Sequence, residues 1–331
     1  MTDATLDVLC IGNAIVDVIT DADDVFLGAQ GLDKGSMRLI DEAEAVRLYG
    51  VMGAGREVSG GSAGNTAAGL AALGIRTGFI GQVADDQLGK TYQHDIESQG
   101  IDFLVPARSD VGATARCLIL VTPDAQRTMN TFLGAAQMLE AKDVDLDIVR
   151  GAGIIYLEGY LWDPAAPRAA MEAAIDAARA AARKVAFTLS DSFCISRHRD
   201  SFLKLIEDGR IDILFANEAE IVELAGEADF DVAVAAIAPK VATLVVTRSE
   251  KGAIAVAGDE RASVAAEPIE RLVDTTGAGD LFAAGFLAGQ ARGLGLEVSL
   301  KLGAIAAAEV IQHYGARPEK DLKVLAGELL G

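Results

Sequence analysis

The chain is poor in metal-binding and redox-active side chains. It has three cysteines and three histidines in 331 residues. Cys10, Cys117 and Cys194 lie far apart with no paired spacing. That argues against a disulfide framework or a zinc site and fits a reducing cytoplasm. His94, His198 and His313 are equally scattered and read as surface or core residues rather than ligands. Positive charge is scarce too: 29 Lys and Arg face 49 Asp and Glu, a formal net charge of -20. So acidic a chain is a poor partner for nucleic-acid phosphates or an anionic membrane. No apolar run reaches the roughly 20 residues that span a bilayer. Asp3 and Asp7 stand where a secretory leader carries positive charge. Low-complexity tracts and short repeats are missing. So is the G-x-G-x-x-G turn after the first apolar run, which argues against a dinucleotide oxidoreductase.

Apolar residues, by contrast, make up 51% of the chain and mean hydropathy is +0.28. That is ample for one large α/β domain or two. The richest chemistry lies late, in Asp274-Thr275-Thr276-Gly277-Ala278-Gly279-Asp280-Leu281-Phe282. The stretch reads as a glycine loop feeding a helix. Unpaired amides and the helix dipole at such a start hold an anion, most often a phosphate. Asp280 repels a phosphate, so its presence makes sense as a base for an attacking hydroxyl. The stretch then reads as a phosphoryl-transfer centre, with the Gly277, Ala278 and Gly279 amides for developing charge. Alone, it is also a common capped helix start.

Along the chain, Leu6 to Ile11 reads as a buried first strand. Asn13 and Asp17 follow it and suit a vicinal diol, although Asn and Asp also favour turns. Residues 18 to 58 look like an insertion broken by glycines. Gly60 to Gly74 reads as a helix of small residues, capped by Ser62, with Asn65 on its first turn. Ala115 to Val121 and Arg127 to Phe132 read as a hairpin around Pro123-Asp124, apart from the main sheet. Arg127 is a planar cation fit to clamp a phosphate, or a solvated strand arginine. From 143 onward strands near 153–158, 185–190, 211–215 and 242–247 alternate with helices at 165–183, 197–207 and 218–225. This pattern predicts a doubly wound, mostly parallel sheet flanked by helices, with ligands beyond the strands' carboxyl ends. Asp191, Asn217, Glu220, Thr247 and Arg248 fall at such ends. Asn217 and Glu220 share the first turn of a helix, where oxygen ligands hold the water shell of Mg²⁺ or simply cap the helix. Amides of the Thr247–Gly252 loop, with Arg248, offer a phosphate site. Two helices, 278–292 and 298–313, close the chain. The segment from Ala306 through Ala307 to His313 and Gly315 offers a flat slot for a purine ring.

Gly60–Gly74, Asn217-Glu218-Ala219-Glu220 and Asp274–Phe282, in this order and separation, resemble the signatures of the ribokinase/PfkB family of small-molecule kinases. Within it the chain is most similar to the adenosine kinases. The resemblance runs through Gly12-Asn13 to Asp17, Gly61-Ser62 with Asn65, Asp124-Ala125-Gln126-Arg127 through Leu133 to Ala136, and Gly159-Tyr160-Leu161. It implies a single ribokinase-like domain over 1–331, with a small β-rich lid from about 15–55 and 110–135. It implies Mg·ATP as phosphoryl donor and a nucleoside acceptor, adenosine first, with inosine, guanosine or a free sugar such as ribose as alternatives. Asp280 would be the catalytic base, helped by Gly277, Ala278, Gly279 and Arg127. Asn13, Asp17, Gly61, Ser62 and Asn65 would hold the ribose; Leu133, Tyr160 and Leu161 would flank the base. Asn217, Thr247, Arg248, Gly252, Thr276, Gly279, Ala307 and His313 would hold ATP, and Glu220 would orient Mg²⁺ through water. In some relatives Asp274, Thr276 and carbonyls near 310–315 hold K⁺; here Asp274 and Thr276 match, while Glu319 stands where ribokinases carry a small polar ligand. Both a monomer and a homodimer are compatible with the sequence, as is a binding protein without turnover.

Overall fold

Two sheets divide the work. In the computed structural model, which describes residues 5–124 and 126–330, nine strands form the larger sheet, in the order β14-β13-β12-β11-β10-β9-β1-β5-β6. Asp3 and Ala125, named above, lie outside the described residues. The strands are β1 (Leu6–Ile11), β5 (Thr77–Ile80), β6 (Asp102–Phe103), β9 (Ala152–Glu158), β10 (Lys184–Thr188), β11 (Ile213–Asn217), β12 (Thr243–Thr247), β13 (Ala253–Ala257) and β14 (Glu260–Val264). Pairing is parallel from β12 to β6 and antiparallel across β12, β13 and β14.

The winding follows from the side-chain alternation of the central strands. On β1, Val8 and Cys10 pack on one face, while Leu9 and Ile11 pack on the other. On β9, Ile154 and Tyr156 pair with the first face, Ile155 and Leu157 with the second. Helices Ser62–Ala72, Ala278–Ala291 and Leu296–Val310 cover the first face; Ala165–Ala180, Ser192–Glu207 and Glu218–Ala225 cover the second. The helix expected at 197–207 begins earlier because Asp191 caps it, accepting from Cys194 N–H at 2.6 Å.

The smaller sheet has the order β3-β8-β7-β2-β4 and uses β2 (Ile15–Asp21), β3 (Met37–Leu39), β4 (Arg56–Ser59), β7 (Ala115–Val121) and β8 (Arg127–Phe132). The hairpin β7–β8 has the expected bounds, but β2 lies parallel to β7 and is edged by β4. The segment read as a mixed insertion therefore supplies three of these strands and two helices, Asp24–Ala29 and Glu42–Val51. Leu27 and Leu48 from those helices pack with Val16, Val18, Leu118 and Leu120 on one face of the sheet. The other face carries Cys117, Ile119 and Val121 with Ile15, Ile19 and Met129. Among the described residues no helix is long and apolar enough to cross a membrane.

Candidate active site

A cleft of about 530 Å³ opens between the free face of the small sheet and the carboxyl ends of the large sheet. Its walls hold Asp17, Gly61, Ser62 and Asn65, then Tyr160, Asn217, Glu220 and Thr247, and finally Thr276, Gly277, Gly279 and Asp280. Residues separated by up to 263 positions thus meet at one opening, as the crossover topology requires.

The late loop has the conformation its sequence predicts. Gly277, in the left-handed region at φ +79, is the N-cap of the Ala278–Ala291 helix. A side chain there would also collide with Ala316, since a Cβ would lie 2.4 Å from the Ala316 Cβ. Ala278 N–H turns back to Thr275 O at 3.2 Å, and Leu281 N–H makes the first helical bond, to Gly277 O. The amides of Gly277, Gly279 and Asp280 thus stand ahead of the helical ladder, where the dipole adds positive charge. The Asp280 carboxylate faces the other signature helix. Ser62 Oγ donates to its Oδ1 at 2.7 Å and Asn65 Nδ2 to its Oδ2 at 2.9 Å. Burial pushes its carboxyl above the usual carboxylate range; these two bonds and the charge of Arg317 pull it back.

Ser62 is not the cap. Gly61 takes that place at φ +82 and ψ 143, and no side chain caps the helix. This frees the Ser62 hydroxyl for Asp280. Asn13 sits one layer behind the cleft. Its N–H and Nδ2 both donate to Glu158 Oε1, at 2.7 and 2.6 Å, while Ala63 N–H donates to Glu158 Oε2 at 2.7 Å. Glu158, at the end of β9, thus ties the turn after β1 to the Ser62 helix. The side-chain oxygens of Asn13 and Asn65 are buried acceptors with no partner. Their orientation is fixed because each amide nitrogen faces a carboxylate. Asn65 lines the cleft with Asp17 of β2 and Asp280, whereas Asn13, expected there, does not reach it.

Arg127 lies behind the late loop rather than in solvent. Its Nη2 is 2.5 Å from Asp274 Oδ2, its Nη1 donates to Thr276 Oγ1 at 3.1 Å, and its guanidinium lies over the Tyr314 ring. Asp274 also accepts from Thr276 N–H and Gly315 N–H, both at 3.0 Å. Glu220 and Asn217 form a reciprocal capping box: Asn217 N–H donates to Glu220 Oε2 at 2.9 Å, and Glu220 N–H to Asn217 Oδ1 at 2.9 Å. The capping reading is therefore observed, and Glu220 also lines the cleft.

Other residues expected at the site are elsewhere. Leu161 is wholly buried in the core on the second face, because the turn Gly159–Trp162 points it inward. Leu133 follows β8 and does not line the cleft; the strand's alternation presents Met129 and Thr131 instead. Arg248 is held by Glu218, with Nε 3.2 Å from Oε2, and stacks on Phe230 at 3.9 Å. Gly252 abuts Val264 and Ala265, so Thr247 and Ser249 carry that edge of the cleft. His313 faces Glu309 at 3.1 Å, and neither it nor Ala307 reaches the cleft. Glu319 donates its N–H to Glu309, with its carboxylate 3.9 Å from His313 Nδ1. Tyr160 does reach the cleft, anchored by Ser190 through its N–H at 3.2 Å and its hydroxyl at 3.3 Å. Ser190 and Ser249 both line the cleft with positive φ, 72° and 51°, the kind of local strain that functional sites retain.

Burial pushes the carboxyls of Asp17, Glu158 and Glu220 up to about 7. Each raised acid keeps in the folded state a proton that the unfolded chain has lost. The stability it contributes is full below the unfolded value, 3.8 for Asp17 and 4.5 for the glutamates, and disappears as pH rises through about 7. The melting temperature of the ligand-free protein should therefore fall between about pH 5 and about pH 8, and Glu158→Gln should flatten the slope. Calorimetry across that range tests this; a melting temperature that climbs throughout overturns the assignment.

Comparison with known proteins agrees with the geometry. Residues 6–322 match the pfkB family carbohydrate kinase model. The crystal structure of adenosine kinase from Sinorhizobium meliloti is 49% identical, with a TM-score of 0.90 over 98% of this chain and 99% of that one. A probable sugar kinase from Rhizobium etli CFN 42 is 46% identical, with a TM-score of 0.91 over 98% of both chains. Adenosine kinase of Saccharomyces cerevisiae is 26% identical over 94% of this chain and 96% of its own length. The chain belongs to the pfkB family of carbohydrate kinases. It is a phosphotransferase that acts on an alcohol group of a sugar or nucleoside, with ATP and a divalent metal.

Proposed function

We propose that the protein transfers the γ-phosphoryl group of ATP to the 5′-hydroxyl of a nucleoside, and that the nucleoside is adenosine. The observation that carries this reading is the pair of acceptors that line the cleft, Asn65, whose Oδ1 has no partner, and the carboxyl of Asp17; the unpaired Asn13 Oδ1 lies one layer behind them. Each left unpaired costs free energy, and sugar hydroxyls are the donors that relieve it. Ile15, Ile119 and Met129 on the small sheet, with Tyr160 opposite, line the cleft with apolar surface suited to a flat base. The likeness to the adenosine kinase of Sinorhizobium meliloti, 49% identical over 98% of this chain, supports adenosine as the acceptor.

Ser62 and Asn65 orient the Asp280 carboxylate toward the ribose 5′-oxygen, whose proton it accepts. The free Gly277, Gly279 and Asp280 amides balance charge on the transferring group, while the Ala278 N–H, expected among them, is taken by Thr275 O; Arg127 stiffens their loop through Asp274 and Thr276. Glu220 would hold Mg²⁺ through water, and that ion neutralises charge on the phosphates. The small sheet acts as a lid that excludes water during transfer. A monovalent-cation site at Asp274 and Thr276 would appear as a rate that changes when K⁺ replaces a large organic cation.

Adenosine, inosine, guanosine, cytidine and ribose, assayed with Mg·ATP, test the reading. Adenosine should give the highest kcat/KM. Preference for ribose would overturn the nucleoside assignment, and binding without product would overturn turnover itself.

A further inference from the structure

Arg317 was not anticipated from the sequence, and nothing in the mechanism above uses it. It follows Gly315 and Ala316, which abut the late loop at Asp274 and Gly277. Its guanidinium is sunk beneath the first turn of the Ser62–Ala72 helix. Nη1 donates to Gly64 O at 2.7 Å; Nη2 donates to Ser59 O at 2.7 Å and to Ser59 Oγ at 2.9 Å. All three acceptors are neutral, and Nε is buried without a partner. A guanidinium desolvated this way is costly unless opposite charge stands nearby.

That charge is present, one step removed. Ser59 passes the contact on to Asp95, which accepts from the Ser59 N–H at 2.8 Å and from its hydroxyl. On the cleft side each acceptor is followed by a residue in contact with one of the carboxyls: Gly60, after Ser59, abuts the Asp17 carboxyl, and Asn65, after Gly64, donates to Asp280 Oδ2 at 2.9 Å; the Arg317 charge opposes the burial that raises both groups. Among the described residues, the other ionisable groups around these two carboxyls are Arg127 on β8, Cys117 on β7 beside Asp17, Tyr92 on the Gln87–Ser98 helix, Asp274 on the late loop, Tyr156 and Glu158 on β9, and Tyr160. Arg127 is already matched by Asp274. Of the two cations around these carboxyls among the described residues, Arg317 is the one whose charge is not taken up by a direct pair.

We propose that Arg317 is a positioning residue that favours the ionised forms of Asp17 and Asp280, which accept substrate hydroxyls, by holding an unpaired positive charge behind the Ser62 helix. The role rests on the kinase reading, with Asp280 as base. It also explains why the guanidinium bonds only to neutral oxygens: a direct ion pair would tie one carboxylate to it and pull that group out of the cleft.

The test compares Arg317→Gln and Arg317→Met, which remove the charge, with Arg317→Lys, which keeps it. The acid limb of kcat/KM against pH reports the free enzyme's base, and substrate titrations are common to all variants. Both neutral variants should move that limb upward by roughly one to three pH units, about tenfold in rate per unit on the acid side, while Lys leaves it near the wild-type position. A purely structural role would lower the rate at every pH and leave the limb in place, which would overturn the proposal. In parallel, the Asp17 and Asp280 carboxyl carbons, labelled with ¹³C and assigned with Asp17→Asn and Asp280→Asn, are titrated in the free protein. Unmoved titrations in the neutral variants also overturn it. Should neither neutral variant fold, the wild-type titration decides: both carboxyls ionised at about pH 7.5 supports the role, and either one protonated there overturns it. Because this measurement needs no turnover, failure of the whole acceptor panel would sink the nucleoside reading without touching this result.

Discussion

Asp280→Asn should lower kcat by a factor on the order of 10² to 10⁴ while leaving the fold intact. The amide has the same shape, and its oxygen still accepts from Ser62 or Asn65. It cannot take the hydroxyl proton. Because burial already disfavours the Asp280 charge, a neutral side chain there should melt no lower than wild type. The expected signature is thus a collapse in kcat, a small change in KM and an undiminished melting temperature. Steady-state kinetics with a thermal melt reads all three. Near-wild-type turnover would remove Asp280 from the role of base and, with it, the chemical core of the kinase mechanism.

Gly61→Ala should be the most damaging single-methyl change at the site. Gly61 occupies a backbone region, φ +82 and ψ 143, that is almost closed to other residues. An added Cβ would lie 2.1 Å from the carbonyl oxygen of Asn13, a backbone atom that cannot swing aside. Relief requires the Ser62 helix or the Asn13 turn to shift. Either shift breaks the double clamp in which Glu158 holds Asn13 and Ala63 and misaims Ser62 and Asn65. Strain and lost hydrogen bonds together should cost roughly 3 kcal/mol or more. kcat/KM should fall at least about tenfold, since small displacements at a reacting centre are expensive. A variant with wild-type melting and wild-type kcat/KM would show that this turn can relax freely.

The parts of the molecule that repeat a pattern were legible in advance. Strand alternation gave β1, the β7–β8 hairpin and the regular βα run after residue 143, and glycines flanked by small residues marked the two signature helices. Isolated residues acting at long range were not. Glu158 and Arg317 are single charges in unremarkable surroundings, and their partners lie 145 and up to 258 residues away. Only the crossing of β1, β9 and the Ser62 helix brings them to bear. Ser62 was misassigned for a local reason: a serine before a helix usually caps it, but Gly61 adopts a conformation that moves the cap back by one residue. Leu161 was misplaced because an apolar residue beside a base and one in the core look alike in sequence. The small sheet's helices were hidden because glycines at 28, 31 and 35 interrupt the periodic signal.

The small sheet has one face sealed by its own two helices and another, bearing Ile15, Ile119 and Met129, turned to the cleft. On the proposed reading, the base of the nucleoside would supply the missing hydrophobic layer on the cleft side. Discrimination among ring systems should then depend chiefly on shape and greasiness, because aliphatic side chains cannot count exocyclic amines. Purine analogues with altered edge groups would be tolerated more readily than a bare pentose, which leaves that wall wet.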